Sequence, residues 1–455
     1  MNQRIASVFI VLAVVVTLSA GGSGDISAQD STPSDPLLEM LALIPDTPEI
    51  RAEMHDAESH WNVSYMDYQG IVAARPGAAQ ITSWAEYDTM HDSADEAAQT
   101  GAGLWLAALA GAGSGPHFLM QSAFYDRDAN PMPNVVGFDF FAVTQGLQYA
   151  YPPNLATILA GDFDAAAIAQ AFSNRGYTAQ EYADGTLWCG PDGCESGQAA
   201  NMEQVNPANP FGGHLGQEQP LLVRSGYLIS SPDYGRIAVY PGLLDGSTPT
   251  LADAPDFQAA ADAVLTAGTL IQAQFYDPAI FTWDDPALAA LGGIGWVTSV
   301  WASPDLPEAD RAFLRDRADA AYIPLPRYSL VIFADLVDGD DQLVLTGLVY
   351  ANAETAQTAA DAVYARMNEY ISIVWRRSLI EMVAYWDGVI ERPQLYTHAT
   401  SGQTVVVIVW RAPLPSPEPL DGHVFMQSSM SFRYLDSMIR GQDLGWLAIG
   451  PAETE

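Results

Sequence analysis

The chain has no lysine: all 18 of its basic residues are arginine, set against 55 acidic residues in a length of 455. The formal net charge is -37. Such a field repels nucleic-acid phosphates and anionic lipid headgroups, so neither is expected as a partner. Charged residues amount to only 16% of the chain, where a soluble domain usually carries about a quarter. Much of the surface must therefore be Ala, Gly, Ser, Thr, Asn and Gln. Catalytic signatures are missing too. There is no H-E-x-x-H, no G-x-S-x-G and no Walker loop. The run "GAGSGP" (Gly111–Pro116) lacks the lysine that a phosphate loop needs. No cofactor is expected, and the sequence leaves open whether the protein is an enzyme.

Cysteine is nearly absent, with two residues, both inside "TLWCGPDGCESG" (Thr186–Gly197). Cys189 and Cys194 are separated by four residues, not the two of a thioredoxin-type pair. Pro191-Asp192-Gly193 is turn chemistry and not a helix start that would lower a thiol pKa. Two cysteines fall short of the four ligands of a structural zinc site. The spacing therefore predicts a disulfide closing a hairpin loop, as an exported protein permits. A loop this short gains about 2 kcal/mol or less from the cross-link.

Residues Met1–Ala20, "MNQRIASVFIVLAVVVTLSA", have the layout of a secretory signal. A basic start precedes an apolar run and small residues, with cleavage after Ala20 or Ala28. The alternative is an uncleaved N-terminal anchor, because the run nears the length that spans a bilayer. Either reading places the protein outside the cytoplasm.

Hydrophobic residues make up 49% of the chain, enough for a substantial core. Segments Asn154–Phe163, Arg327–Leu336 and Gln342–Asn352 read as strands, and so does His117–Asp126. Asp164 caps a helix that Gly176 stops, and further helices are expected over Asp253–Gly268 and Ala353–Tyr370, the last continuing through "ISIVWRRSLIEMVAYW". The region "SWAEYDTMHDSADEAAQTGAGLWLAALAGAG" reads as helical, broken near Gly101 and Gly103. Hairpins are expected over "YTAQEYADGTLW", over "LLVRSGYLISSPDYGRIAVY" with Ser-Pro-Asp-Tyr-Gly as its turn, and over Gln394–Arg411. Strand, helix and hairpin thus recur twice. The fold class is α+β: antiparallel sheets with helices packed on one face, in two related strand-helix-hairpin units. The expected division is a signal peptide and leader over 1–28, an N-terminal α+β domain over 29–270 and a C-terminal one over 271–455.

Candidate ligands for a metal are weak. Asp126, Asp128 and Asn130 follow the start of a calcium loop, but Pro131 stands where the loop needs its glycine and no glutamate closes it. Asp338, Asp340 and Asp341 crowd a hairpin turn. His55 and His60 lie five apart, on different faces of a helix. The expectation is that no metal binds. The long polar segment Glu195–Pro220 is of a length that loops reach when they carry function or move. Together these features point to a non-catalytic exported protein that binds a ligand or an envelope partner. The alternative is an exported hydrolase using paired carboxylates from distant segments, which would leave no local motif.

The charge imbalance has a testable consequence. Folding brings carboxylates closer together, and like-charge repulsion raises their average folded pKa above the ordinary value of about 4. Groups with a raised folded pKa contribute stability that is complete at low pH and is lost as pH rises through the folded value. The melting temperature should therefore rise as pH falls from neutral to mildly acid, and rise with salt at neutral pH. A midpoint that drops steadily over that pH range and ignores salt would contradict this.

Overall fold

The computed structural model describes residues 35–451, apart from 56–61, 111–116, 126, 128–130, 151–153, 292–306, 310–311, 313–314, 317–321, 373–374, 386, 415–429 and 442. The expected signal segment and leader lie outside the described residues, as do Gly111–Pro116, His60, Asp126, Asp128 and Asn130. Residues Pro36–Glu455 group as one compact unit.

The strands in chain order are β1 (Asn62–Asp67), β2 (Val143–Tyr149), β3 (Ala156–Gly161), β4 (Thr178–Tyr182), β5 (Gly185–Cys189), β6 (Leu221–Arg224), β7 (Tyr227–Ser230) and β8 (Thr269–Tyr276). They continue with β9 (Leu330–Asp338), β10 (Asp341–Tyr350), β11 (Ile371–Ser372), β12 (Arg377–Ser378), β13 (Val389–Ile390), β14 (Gln394–Thr397) and β15 (Thr404–Pro413). Among the described residues, thirteen of these form one sheet, in the order β4-β5-β6-β7-β3-β2-β1-β8-β9-β10-β15, with β13 and β14 both on the outer edge of β15. β11 and β12 pair separately. Every named pairing is antiparallel.

The helices are α1 (Pro36–Leu41), α2 (Pro48–Met54), α3 (Tyr68–Ala73), α4 (Trp84–His91), α5 (Glu96–Ala110), α6 (His117–Phe124), α7 (Met132–Val136) and α8 (Ala165–Asn174). After them come α9 (Gly235–Ala238), α10 (Tyr240–Leu244), α11 (Pro255–Ala267), α12 (Pro286–Leu291), α13 (Ala353–Glu369), α14 (Leu379–Ala384) and α15 (Met430–Arg440). None is long and apolar enough to cross a membrane.

The fold is α+β, and its topology is arranged about one central pairing. β1 meets β8 from Asn62 opposite Tyr276 to Met66 opposite Gln272. Outward on one side lie β2 and β3, and on the other β9 and β10. β3 leads through α8 to the hairpin β4–β5; β10 leads through α13 to the hairpin β14–β15. The two sides are not equivalent: the hairpin β6–β7 stands between β3 and β5, whereas β15 pairs with β10 directly, and β11, β12, α14 and β13 come between α13 and β14 with no counterpart between α8 and β4. The boundary expected at 270/271 falls inside β8, which pairs with β1 on one side and β9 on the other.

Helices cover both faces of the sheet, not one. Strand alternation sends Tyr65, Leu147, Ile158, Phe275, Ile332 and Leu345 to a first face, where they pack with Leu37 of α1, Ile50 of α2 and Phe257 of α11. Phe257 and Phe275 stack with ring centroids 5.1 Å apart. The second face carries two separate clusters. One joins Met66, Leu159 and Leu228 to Trp105 of α5 and Phe172 of α8. The other joins Phe333, Leu348 and Ile408 to Val363 of α13, Phe432 of α15 and Trp446. The central strands are buried on both sides, so their sequences read as near-continuous apolar runs and do not reveal which face is covered.

Several local expectations are met and others are corrected. Asp164 caps α8 by accepting from the amides of Ala166 and Ala167, at 2.8 and 3.2 Å. Gly176, just beyond that helix, has φ +83°. His117–Phe124 is helix α6 instead of a strand; Leu119, Ser122 and Ala123 are buried at helical spacing. α5 runs unbroken through Gly101 and Gly103. A Cβ on Gly101 would stand 3.3 Å from that of Ala79, and Gly101 accepts from the Ala79 amide at 3.0 Å, so the glycine serves a close approach. The hairpin β6–β7 turns at Ser225-Gly226, and "SSPDYG" leads into α9. After Tyr370 the chain breaks into β11 and β12 before α14, whose capping box joins Ser378 and Glu381.

Candidate functional site

α3 follows β1 directly because Asp67 caps it, its carboxylate accepting from the amides of Gln69 and Gly70 at 3.0 and 2.8 Å. Beyond its other end lies Arg75, 8% exposed. Burial lowers the Arg75 pKa to about 10, against the raising effect of the Asp335 carboxylate on β9. Asp335 is fully buried and accepts from Gln272 Nε2 at 3.0 Å and Gln342 Nε2 at 2.7 Å. α3 is thus capped at one end, and the buried arginine beyond its other end feels the charge of a carboxylate embedded in the sheet.

Between α3 and α5 is a cavity of about 440 Å³. α3 supplies Tyr68, Gln69, Val72 and Ala73; α5 supplies Trp105 and Leu109. The chain before α4 adds Gln80, Ile81 and Thr82, and the 3-10 turn Phe140–Ala142 and the start of β2 add Phe140, Phe141 and Val143. No lining residue is charged. Trp105 stacks on Phe141 at 5.8 Å, and Tyr68 meets Phe140 edge-on at 5.4 Å. Behind them Trp84 touches Phe124, Phe141 and Trp105 at 4.7, 5.1 and 5.9 Å between centroids. Its indole N–H donates to Asp139 at 3.0 Å. Arg127 lies 4.8 Å over the Trp84 ring and pairs with Asp88 at 3.1 Å. The walls are therefore fixed by aromatic contacts on one side and by hydrogen bonds on the other. Such an arrangement holds a shape without a bound partner. Burial pushes the Tyr68 hydroxyl well above the usual tyrosine range, so it stays protonated and can donate.

A second feature crosses the same sheet face. Ser230, Thr157, Gln148, Ser64 and Gln274 stand opposite one another on β7, β3, β2, β1 and β8, and all are buried. Gln148 Nε2 donates to Thr157 Oγ1 at 3.3 Å, and Ser230 Oγ donates to Gln219 Oε1 at 3.1 Å. Tyr276 donates to Gln274 Oε1 at 2.7 Å, and Gln274 Nε2 reaches Asp436 of α15 at 3.4 Å. The row reaches into the segment Glu195–Pro220, which is ordered by buried amides. Gln219 donates to Gln217 at 2.8 Å, and Asn209 bonds both ways with the Phe211 backbone at 3.1 Å.

Cys189 and Cys194 lie at disulfide distance, their Cα atoms 4.5 Å apart, across a turn bridged between Gly190 and Gly193. Cys189 ends β5 as expected, but Cys194 opens a 3-10 turn and not a returning strand. Asp338 and Asp341 of the acidic hairpin turn share Arg411, whose Nη1 stands 3.1 Å from each, while its Nε pairs with Glu391 at 2.7 Å. Arg411 supplies the positive charge between these carboxylates. His55 is the C-cap of α2 and meets Asp277 at 2.6 Å. Among the described residues, no group of three or more His, Cys, Asp and Glu is placed to hold a metal. Buried carboxylates are engaged by other donors: Asp443 by Tyr370 at 2.7 Å and by Ser372, Asp277 by the Ala279 amide at 2.8 Å. Burial raises the pKa of Asp67, Asp139 and Asp277 against their hydrogen bonds. Each contributes stability that is complete at low pH and is lost as pH rises through its folded value, the direction the net charge also dictates.

No family model matches the chain, and no curated protein matches it. Among solved structures, crystal form III of TP0453, a Treponema outer-membrane-associated protein, matches with a TM-score of 0.28 and 7% identity over 86% of this chain and 97% of that one. Crystal form I of the same protein matches at 0.30 and 8% over 90% and 99%. Likeness of that order carries no inference about this chain.

The buried charges beyond the end of α3 can be tested by substitution. Replacing Arg75 by Ala should cost about 1–3 kcal/mol in urea unfolding, because it removes a nearby positive charge and leaves the buried Asp335 carboxylate with its two glutamine donors alone. The double variant Arg75→Ala, Asp335→Leu should recover part of that loss. A single-variant cost below about 1 kcal/mol would show that Arg75 does not stabilise the Asp335 carboxylate.

Proposed function

We propose that the protein is an extracytoplasmic binding protein whose cavity between α3 and α5 holds a small uncharged ligand without reacting with it. The observation that carries this reading is a lining free of charge in a chain of net charge -37. A charged ligand there would be desolvated without a counter-charge, at a cost that binding could not offset. Trp105 and Phe141 offer rigid apolar area, while Gln69 and Gln80 offer polar groups that set orientation; the Thr82 hydroxyl already donates to Glu86 at 2.9 Å. The cavity's size falls within the range of about 300–1,000 Å³ common to small-molecule sites. An extracytoplasmic location is supported by the signal-like N-terminus and by the cysteine pair at disulfide distance. The acidity argues against nucleic acid and anionic lipid as partners.

Titration with Nile red, an uncharged dye whose emission reports an apolar environment, tests the reading. Saturable enhancement at one site is expected. Ala73→Trp, which places a large ring in the cavity, should weaken binding roughly tenfold or more with little change in melting temperature. Absence of saturable binding, or a variant that binds as wild type does, would overturn the assignment.

A further inference from the structure

The turn between β14 and β15 brings together a serine, a histidine and an aspartate that the cavity does not use. Ser401 Oγ lies 2.8 Å from His398 Nδ1, and His398 Nε2 lies 3.1 Å from Asp262 Oδ2 on α11. Ser401 is exposed, whereas the His398 side chain is only 9% exposed. An ionised carboxylate only accepts, so the imidazole carries its proton on Nε2 toward Asp262. Nδ1 is then left with a lone pair facing the serine hydroxyl and, at 3.3 Å, the Ser401 amide. The Gln403 amide donates to Ser401 Oγ at 3.3 Å, which favours negative charge on that oxygen. The Ala399 and Thr400 amides of the same turn carry no hydrogen bond among the described residues.

We infer that Ser401, His398 and Asp262 form a nucleophile, base and orienting acid able to accept an acyl group from activated esters. Ser401 Oγ attacks the ester carbonyl carbon while His398 Nδ1 takes the hydroxyl proton. The alcohol leaves with that proton, and an acyl-serine remains. Water then attacks the acyl carbon with His398 as base, releasing the acid and restoring the serine. α11 packs on the sheet face opposite the cavity, so this activity is separate from binding there.

The test is reaction of the folded protein with a small neutral fluorophosphonate, read by intact mass and peptide mapping. The Ser401 Oγ–P bond should form with loss of fluoride, giving one adduct on the peptide that contains Ser401. Ser401→Ala should remove it. Asp262→Asn should slow labelling roughly tenfold or more. Because Asp262 is part-exposed, that variant is expected to keep the wild-type near-UV circular dichroism. Wild type should also hydrolyse p-nitrophenyl acetate faster than Ser401→Ala. An unmodified Ser401 peptide, or Asp262→Asn labelled at the wild-type rate, would overturn the inference. A merely structural clamp between α11 and the hairpin would give that result.

Discussion

The antiparallel pairing of β1 with β8 is the constraint on which the rest of the molecule depends. It joins the strands that lead outward to each half of the sheet. Through it the apolar residues of the first face become one cluster running from β5 to β15. Without it two shorter sheets would each expose an edge strand of alternating apolar side chains and unpaired amides, which proteins avoid. Burying that edge in the interior ties the two halves together by main-chain hydrogen bonds as well as by packing.

The second face shows what the join demands. There the apolar clusters are separate, and buried polar groups stand among them: the row from Ser230 to Gln274, and the Asp335 carboxylate with its glutamines. Buried polar groups are costly unless satisfied. Once satisfied they fix register, because a slip by one residue on β1 or β8 would turn Ser64 or Gln274 toward the apolar first face. α3 continues directly from β1 through the Asp67 cap, so the cavity's position follows from the placement of that central strand.

Much of the local structure was legible in the residues. Asp164 before an alanine-rich run, Gly176 after it, and the turns at Ala183-Asp184 and Gly339-Asp340 stand where their chemistry places them, while the turn between β14 and β15 falls at Ala399–Ser401, ahead of Gly402. Misreadings have physical causes. His117–Phe124 is too short for its period to separate helix from strand. Gly101 resembles a helix break but serves a contact with Ala79. Coverage of both faces was hidden because doubly buried strands such as β9 and β10 do not alternate. One signal of the second face lies in the sequence itself: "LIQAQFY" in β8 sets Gln272 and Gln274 at alternate positions in an apolar run, which marks a polar strip on one face. The cavity and the Ser401 cluster left no local motif, because their residues come from separated segments, with Asp262 far from His398 in sequence.

Differential scanning calorimetry combined with hydrogen exchange tests most directly whether the central pairing unites the chain. A continuous sheet predicts one unfolding transition, with calorimetric and van't Hoff enthalpies in agreement, and amides of β1 and β8 among the slowest to exchange. Two separated transitions, with β1 and β8 amides exchanging well before those of β3 and β10, would show that the halves fold independently and would contradict the account.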